Sequence, residues 1–222
     1  MDMTNKMPSA VRDRAVQIAN HEMAHYVVAR GLGFETGGVS LTVTKDLRHQ
    51  GGASITLARP IVSIEDMKAY LEARVMVLFA GVMGQTLSAR SATGKRVDKA
   101  QALAFLRGEF GAEKDYAKIR ELLHLLRNIE HPDTDPASSR LLTAELKAIN
   151  DSLWLRTQNI VDRLAETILE LASRLVEGMT LVEQWGRAAD TYEVVMTREA
   201  LEGLGLVRAI PLLDGSEYSV RN

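Results

Sequence analysis

The chain contains no cysteine, so it has neither a disulfide framework nor a thiolate metal site. It also lacks a run of about 18 apolar residues that could span a bilayer, and Met1 to Pro8 have no apolar stretch of the signal-peptide kind. These absences lead us to expect a cytoplasmic protein with no membrane partner, its flexible N-terminus covering residues 1–8. An excess of charge of one sign is absent too. The net charge of −2, with no Lys/Arg cluster interleaved with aromatics, leaves no electrostatic footprint for nucleic acid. No internal repeat or low-complexity tract is present, and a chain of 222 residues that is 46% hydrophobic has ample material for a core.

Proline and interior glycine are also missing from Ser9 to Arg30, a stretch that reads as one long helix with Ser9 as N-cap and Gly33 as the stop. Ala15, Ile18, Ala19, Ala24, Val27 and Val28 make it apolar on most sides, which predicts that it crosses the domain centre. Two glycine-led, β-branched segments follow, Gly37 to Thr44 and Gly51 to Leu57, separated by the polar turn Lys45 to Gln50; they predict a small hairpin or edge sheet. Ser63 begins a second long helix reaching to about Ser88, with the small residues Ala80, Gly81 and Gly84 along it. A loop at Ser91 to Lys95, a short helix near Val97 to Arg107 and a turn at Gly108 to Gly111 come next. A helix is then expected from Glu113 to Asn128 and, beyond the loop His131 to Pro136, one long helix or two in series from Ala137 to about Val176. Short helical pieces at Leu181 to Ala189 and Thr197 to Gly203 precede an irregular tail. The expected fold class is α+β, mainly helical, with a C-terminal helical bundle. The expected division is a domain over residues 9–189 and a C-terminal extension over 190–222.

The long first helix carries His21-Glu22-Met23-Ala24-His25, an H-E-x-x-H string. On a helix the imidazoles at i and i+4 project from one face, and the intervening glutamate reaches a water on the same ion, which is the arrangement a zinc hydrolase draws from a single turn. Chance alone would place such a string in roughly 1 of 100 chains of this length. A single histidine on an apolar stripe is more often a satisfied core residue than a ligand. Two histidines and an acid would cost several kcal/mol to bury without a shared partner. A catalytic zinc keeps three protein ligands and leaves a position for water. Glycine at position 28 and histidine at position 31 would complete a metzincin site, but Val28 and Gly31 stand there. The third ligand therefore comes from elsewhere, with Asp115, Asp98 and Glu72 as candidates. Either aspartate could instead serve as a helix-end acid, a role worth ~1 kcal/mol.

Asn20 to His25, the strand Val39-Ser40-Leu41, Gly51-Gly52-Ala53, Ala80-Gly81-Val82-Met83-Gly84 and a following Gly-x-x-x-Asp helix start together resemble the peptidase domain of the FtsH-like zinc metalloproteases, family M41. The likeness covers roughly His21 to Ile119, with a fainter echo from Trp154 to Leu175. It implies a zincin-like domain that hydrolyses peptide bonds, with Zn²⁺ held by His21, His25 and an aspartate and with Glu22 as general base on the water. The spacing from Gly81 favours Asp98, whereas the sequence after Asp115 favours Asp115, the preferred of the two. The strand Val39 to Thr44 is the expected surface for pairing with an extended polypeptide substrate.

The chain also departs from that family. It has no G-x-x-x-x-G-K-[ST] loop and hence no ATPase module, so the expected substrate is unfolded or flexible, or is delivered by a separate ATPase or adaptor. A homo-oligomer is compatible with the resemblance. Ala24 replaces a usual glycine, and Gln85 and Thr86 replace an acidic pair whose loss could weaken metal binding. These departures support a competing expectation, a catalytically degenerate module that keeps the fold and holds a partner protein. The intact Glu22 opposes it, since a structural metal site needs no base.

Overall fold

The computed structural model describes residues 7–57, 60–88, 96–106, 113–182 and 190–213. The loop expected at Ser91 to Lys95 and the turn at Gly108 to Gly111 lie outside them. Among the described residues the fold is mixed α+β and mostly helical, with one four-stranded antiparallel sheet. The elements in chain order begin with α1 (Ser9–Gly31), β1 (Glu35–Thr44), β2 (His49–Thr56) and α2 (Ile64–Gln85). They continue with α3 (Lys99–Ala104), α4 (Glu113–Glu130) and α5 (Ser139–Glu177), and end with β3 (Thr180–Val182), β4 (Thr191–Met196), α6 (Arg198–Gly203) and α7 (Gly205–Arg208).

Helix α1 is the axis of the domain. From Ala15 onwards nearly every side chain is buried, because the sheet covers one side of the helix while α2 and α5 pack on another. The alternating residues Val39, Leu41 and Val43 of β1 supply the buried face of the sheet. Where α1 meets α2, the backbones approach until the Ala24 methyl and the Asn20 carbonyl occupy the space a Cβ at position 84 would need. Gly84 is therefore a packing requirement and not a sign of a fading helix. The start of α1 differs from the expectation. Pro8 is the N-cap residue, Ser9 is already helical, and no side chain caps this end. Met7 packs against the core, while residues 1–6 of the expected flexible N-terminus lie outside the described residues. Helix α2 does begin as its sequence predicts: the Ser63 hydroxyl accepts from Asp66 N at 3.0 Å and donates to Asp66 Oδ2 at 2.9 Å.

The strand order is β2-β1-β4-β3. Strand β4 pairs along β1 from Val39 opposite Met196 to Thr44 opposite Thr191. The segment expected as a separate extension from residue 190 thus enters the same sheet at once, and no boundary falls there. Its period-2 pattern is weak because β4 alternates poorly between buried and exposed positions. Thr180–Val182 is strand and not the expected helix, while residues 183–189 lie outside the described set. Helix α5 is a single 39-residue helix, with Leu164, Ile168, Leu171 and Leu175 buried along it. No helix among the described residues is long and apolar enough to cross a membrane.

Candidate metal centre

Each ligand candidate arrives from a different constraint of the fold. His21 and His25 are one turn apart in the middle of α1, their rings edge to face with centroids 4.6 Å apart. Asp115 lies in the first turn of α4, and α4 packs on α2. The result is a convergence of three atoms. His21 Nε2 is 3.0 Å from His25 Nε2, and Asp115 Oδ2 is 3.3 Å from the first and 3.1 Å from the second. The other ring nitrogens face outward. His25 Nδ1 is 2.7 Å from the Val77 carbonyl, and His21 Nδ1 is 3.3 Å from Gln85 Oε1. Both partners are oxygen acceptors, so each Nδ1 carries the proton and each Nε2 presents a lone pair.

Two lone pairs and a carboxylate oxygen therefore point at one another, which is repulsive until a cation occupies the space between them. A tetrahedral zinc with nitrogen and oxygen ligands at about 2.0–2.1 Å has ligand-to-ligand edges of roughly 3.3–3.4 Å. The observed separations of 3.0–3.3 Å are close to that figure. These three residues could hold a metal ion, and they form such a group among the described residues. Without an ion a proton takes its place. Burial of His25 opposes that charge, but hydrogen bonding and attraction from Asp115, with Glu22 and the Val77 carbonyl, raise its pKa above the ordinary value. Burial likewise works against the Asp115 carboxylate, and the two imidazoles overcome it, holding its pKa well below the carboxylate range.

Glycines make the room. A Cβ at Gly81 on α2 would collide with His25 Nε2 and Cε1 and stand 2.8 Å from His21 Cε1. A Cβ at Gly51 on β2 would lie 2.6 Å from Glu22 Oε1. Glu22 is buried against that strand and lines the same cavities as the histidines. One cavity of about 250 Å³ is lined by His21, Glu22, His25 and Asp115 together with Gly51, Gly52, Ala53 and Ile55 of β2. A second, of about 330 Å³, shares His21, Glu22 and Gly51 and extends past His49, Gln50 and Gln85.

The other third-ligand candidates are engaged elsewhere. Asp98 is the N-cap of α3, its Oδ1 accepting from Gln101 N at 3.0 Å. Glu72 accepts from Arg156 Nη1 at 2.7 Å. The strand expected to receive an extended chain, Val39 to Thr44, has β2 on one edge and β4 on the other and cannot take a further partner. Among the described residues the free edge next to the site belongs to β2. Sequence reasoning also missed the Val77 carbonyl and the cavity residues Arg74, Lys114 and Lys118. A backbone carbonyl leaves no trace in residue identity, but the i, i+4 lysines flanking Asp115 could have been noticed.

No protein-family model matches the chain, and no curated protein is significantly similar to it. The site's chemistry therefore rests on its own atoms.

Proposed function

We propose that the protein is a zinc-dependent metallopeptidase of zincin-like type that hydrolyses peptide bonds in unfolded or flexible polypeptides. The observation that carries this reading is the convergence of His21 Nε2, His25 Nε2 and Asp115 Oδ2 beside a fourth group, Glu22, that is not part of the trio. A structural site would need no such acid. When bound, a zinc ion supplies Lewis acidity, lowering the pKa of a coordinated water towards about 7 and polarising a carbonyl.

The chain's residues do the rest. Val77 and Gln85 hold the two imidazoles with Nε2 inward, which fixes the tautomer and the ring planes. Glu22, pressed against Gly51, takes a proton from the attacking water and passes it to the leaving amine nitrogen. The free edge of β2 beside the cavity offers backbone groups to an extended chain, a mode that reads main chain more than side chain. The FtsH-like resemblance of the sequence supports the same reading, with Asp115 in the position of the third ligand.

The test is cleavage of a flexible reporter polypeptide by zinc-loaded protein. Glu22→Gln is expected to lower the rate by about 10²–10⁴ while retaining the metal. Equal cleavage by both proteins would rule out Glu22 as the base. One observation favours a second reading, a zinc-holding module that binds a partner without cleaving it: Gln85 gives His21 a neutral partner, not a carboxylate. That reading predicts no cleavage by the native chain and unchanged partner binding by Glu22→Gln.

A further inference from the structure

Several cations of this molecule face an acid. Lys68 meets Glu130, Arg127 meets Glu145, Arg174 meets Glu170, and Arg198 meets Glu35 and Glu202. The cavity beside the candidate metal centre is different. Arg74 of α2 and Lys114 and Lys118 of α4 line it together, and among the described residues none of the three has a carboxylate partner. The two lysines are one turn apart on the same face of α4, with Asp115 between them in sequence. Three cations stand against the two carboxylates Glu22 and Asp115 in this lining, and a bound divalent ion would add two further positive charges.

Like charges gathered around a concavity repel one another and focus the field into it, an arrangement that raises the local concentration of an anion. Arg74 is half-buried and offers a planar fork that matches a carboxylate, while the exposed lysines act as mobile point charges above it. The charge is also one-sided. The second cavity shares Lys114 but is lined by Glu113, Gln50 and His49 as well, so the cationic half lies towards Ala53 and Ile55 of β2.

Resting on the peptidase reading of this site, we propose that the cleft selects its polypeptide by a carboxylate. Arg74, Lys114 and Lys118 bind an acidic group of the chain that lies along the Ala53–Ile55 end of β2. Acidic segments are then the preferred substrate class. The group is either an acidic side chain or the terminal carboxylate of the polypeptide, and both present the same chemistry to these three residues.

The experiment uses four blocked fluorescent peptides of one length. Three are C-terminally amidated and carry Glu, Gln or Lys at the variable positions, and the fourth is the Gln peptide with a free C-terminus. Zinc-loaded native protein is assayed for kcat/KM, and zinc-loaded Glu22→Gln for binding by fluorescence anisotropy. The Glu peptide is expected to exceed the amidated Gln peptide about tenfold, the scale of one charge-assisted contact, with the Lys peptide last. In the triple variant Arg74→Gln, Lys114→Gln, Lys118→Gln the ratio falls towards one, and Lys118→Glu moves the order towards the Lys peptide. A preference for the free C-terminus over the amide assigns the carboxylate to the chain end. Equal cleavage of all four peptides overturns the proposal and leaves the peptidase reading intact. Charge-selective binding to Glu22→Gln without cleavage by the native chain keeps the cleft and removes the hydrolytic reading. Charge-blind binding without cleavage overturns both.

Discussion

Two clusters of ionisable residues meet α2, and they are built on opposite principles. At one end, Glu72 receives Arg156 at 2.7 Å, and Lys68 joins Glu130 at 2.9 Å. Each carboxylate there faces a cation, so the charges balance as they stand. At the other end His21, His25 and Asp115 bring acceptors together without a donor among them once each Nδ1 is tied off. The first arrangement is a structural ion pair, in which proximity is its own explanation. The second remains unbalanced until a cation enters. The contrast also sets Glu72, an acid on a neighbouring helix, apart from the trio: it pairs with Arg156 instead.

Proton competition gives the largest way to sharpen the comparison. His25 gains a proton more readily in the metal-free fold than in the unfolded chain, because Asp115, Glu22 and Val77 outweigh the opposing burial. Stability from that proton is therefore fully present below the unfolded pKa near 6.5 and is lost as pH rises through the raised folded value. Zinc needs the same nitrogen bare. Zinc stabilisation, read as the Tm difference with and without the ion, should grow from pH 5.5 to 7.5 by up to about 2.7 kcal/mol for one displaced proton. An equal Tm shift at both pH values would show that no ligand proton is displaced.

Breaking the balanced cluster comes next. Glu72→Gln strips Arg156 of its countercharge and is expected to lower stability by roughly 2 kcal/mol, a figure discounted because Glu72 is partly exposed. Urea unfolding measures that loss, and zinc affinity should not change with it. A loss of zinc binding in this variant would place Glu72 in the metal site instead.

A smaller effect is expected at Gln85, whose Nε2 has no partner among the described residues while its Oε1 faces His21. Gln85→Glu gives His21 Nδ1 a carboxylate without removing an existing hydrogen bond, and should tighten zinc binding by about tenfold. Competition with a zinc chelator would reveal it, and a weaker affinity would contradict the orienting role given to this residue. Asp98→Ala should cost only about 1 kcal/mol of stability, the value of the N-cap of α3, with zinc content unchanged.

What could be read from the residues follows the same division between local and convergent features. The long α1 was legible because nothing interrupts it, and the His21/His25 pair because a helix dictates its own spacing. The cap of α2 at Ser63 is local chemistry and was legible for that reason. Asp115 could be preferred to Asp98 only through the family resemblance, since both are acids at the start of a helix. Only the packing of α4 on α2 brings Asp115 to the two histidines and leaves Asp98 as a cap. The place of Thr191–Met196 between β1 and β3 was hidden because strand pairing across 150 residues of chain leaves little local trace. The same holds for the unavailability of β1 to a further strand. The cationic lining escaped for a related reason: Arg74 and Lys118 are far apart in sequence, and a charge on a helix usually means only a solvated face.

Metal content by mass spectrometry tests the central claim most directly, using the purified native chain beside His25→Ala, Asp115→Ala and Asp98→Ala. The geometry predicts near-stoichiometric zinc in the native chain and in Asp98→Ala, and its loss in His25→Ala and Asp115→Ala. A native chain that takes up no zinc from excess metal, or an Asp115→Ala protein that keeps its full complement, would contradict it.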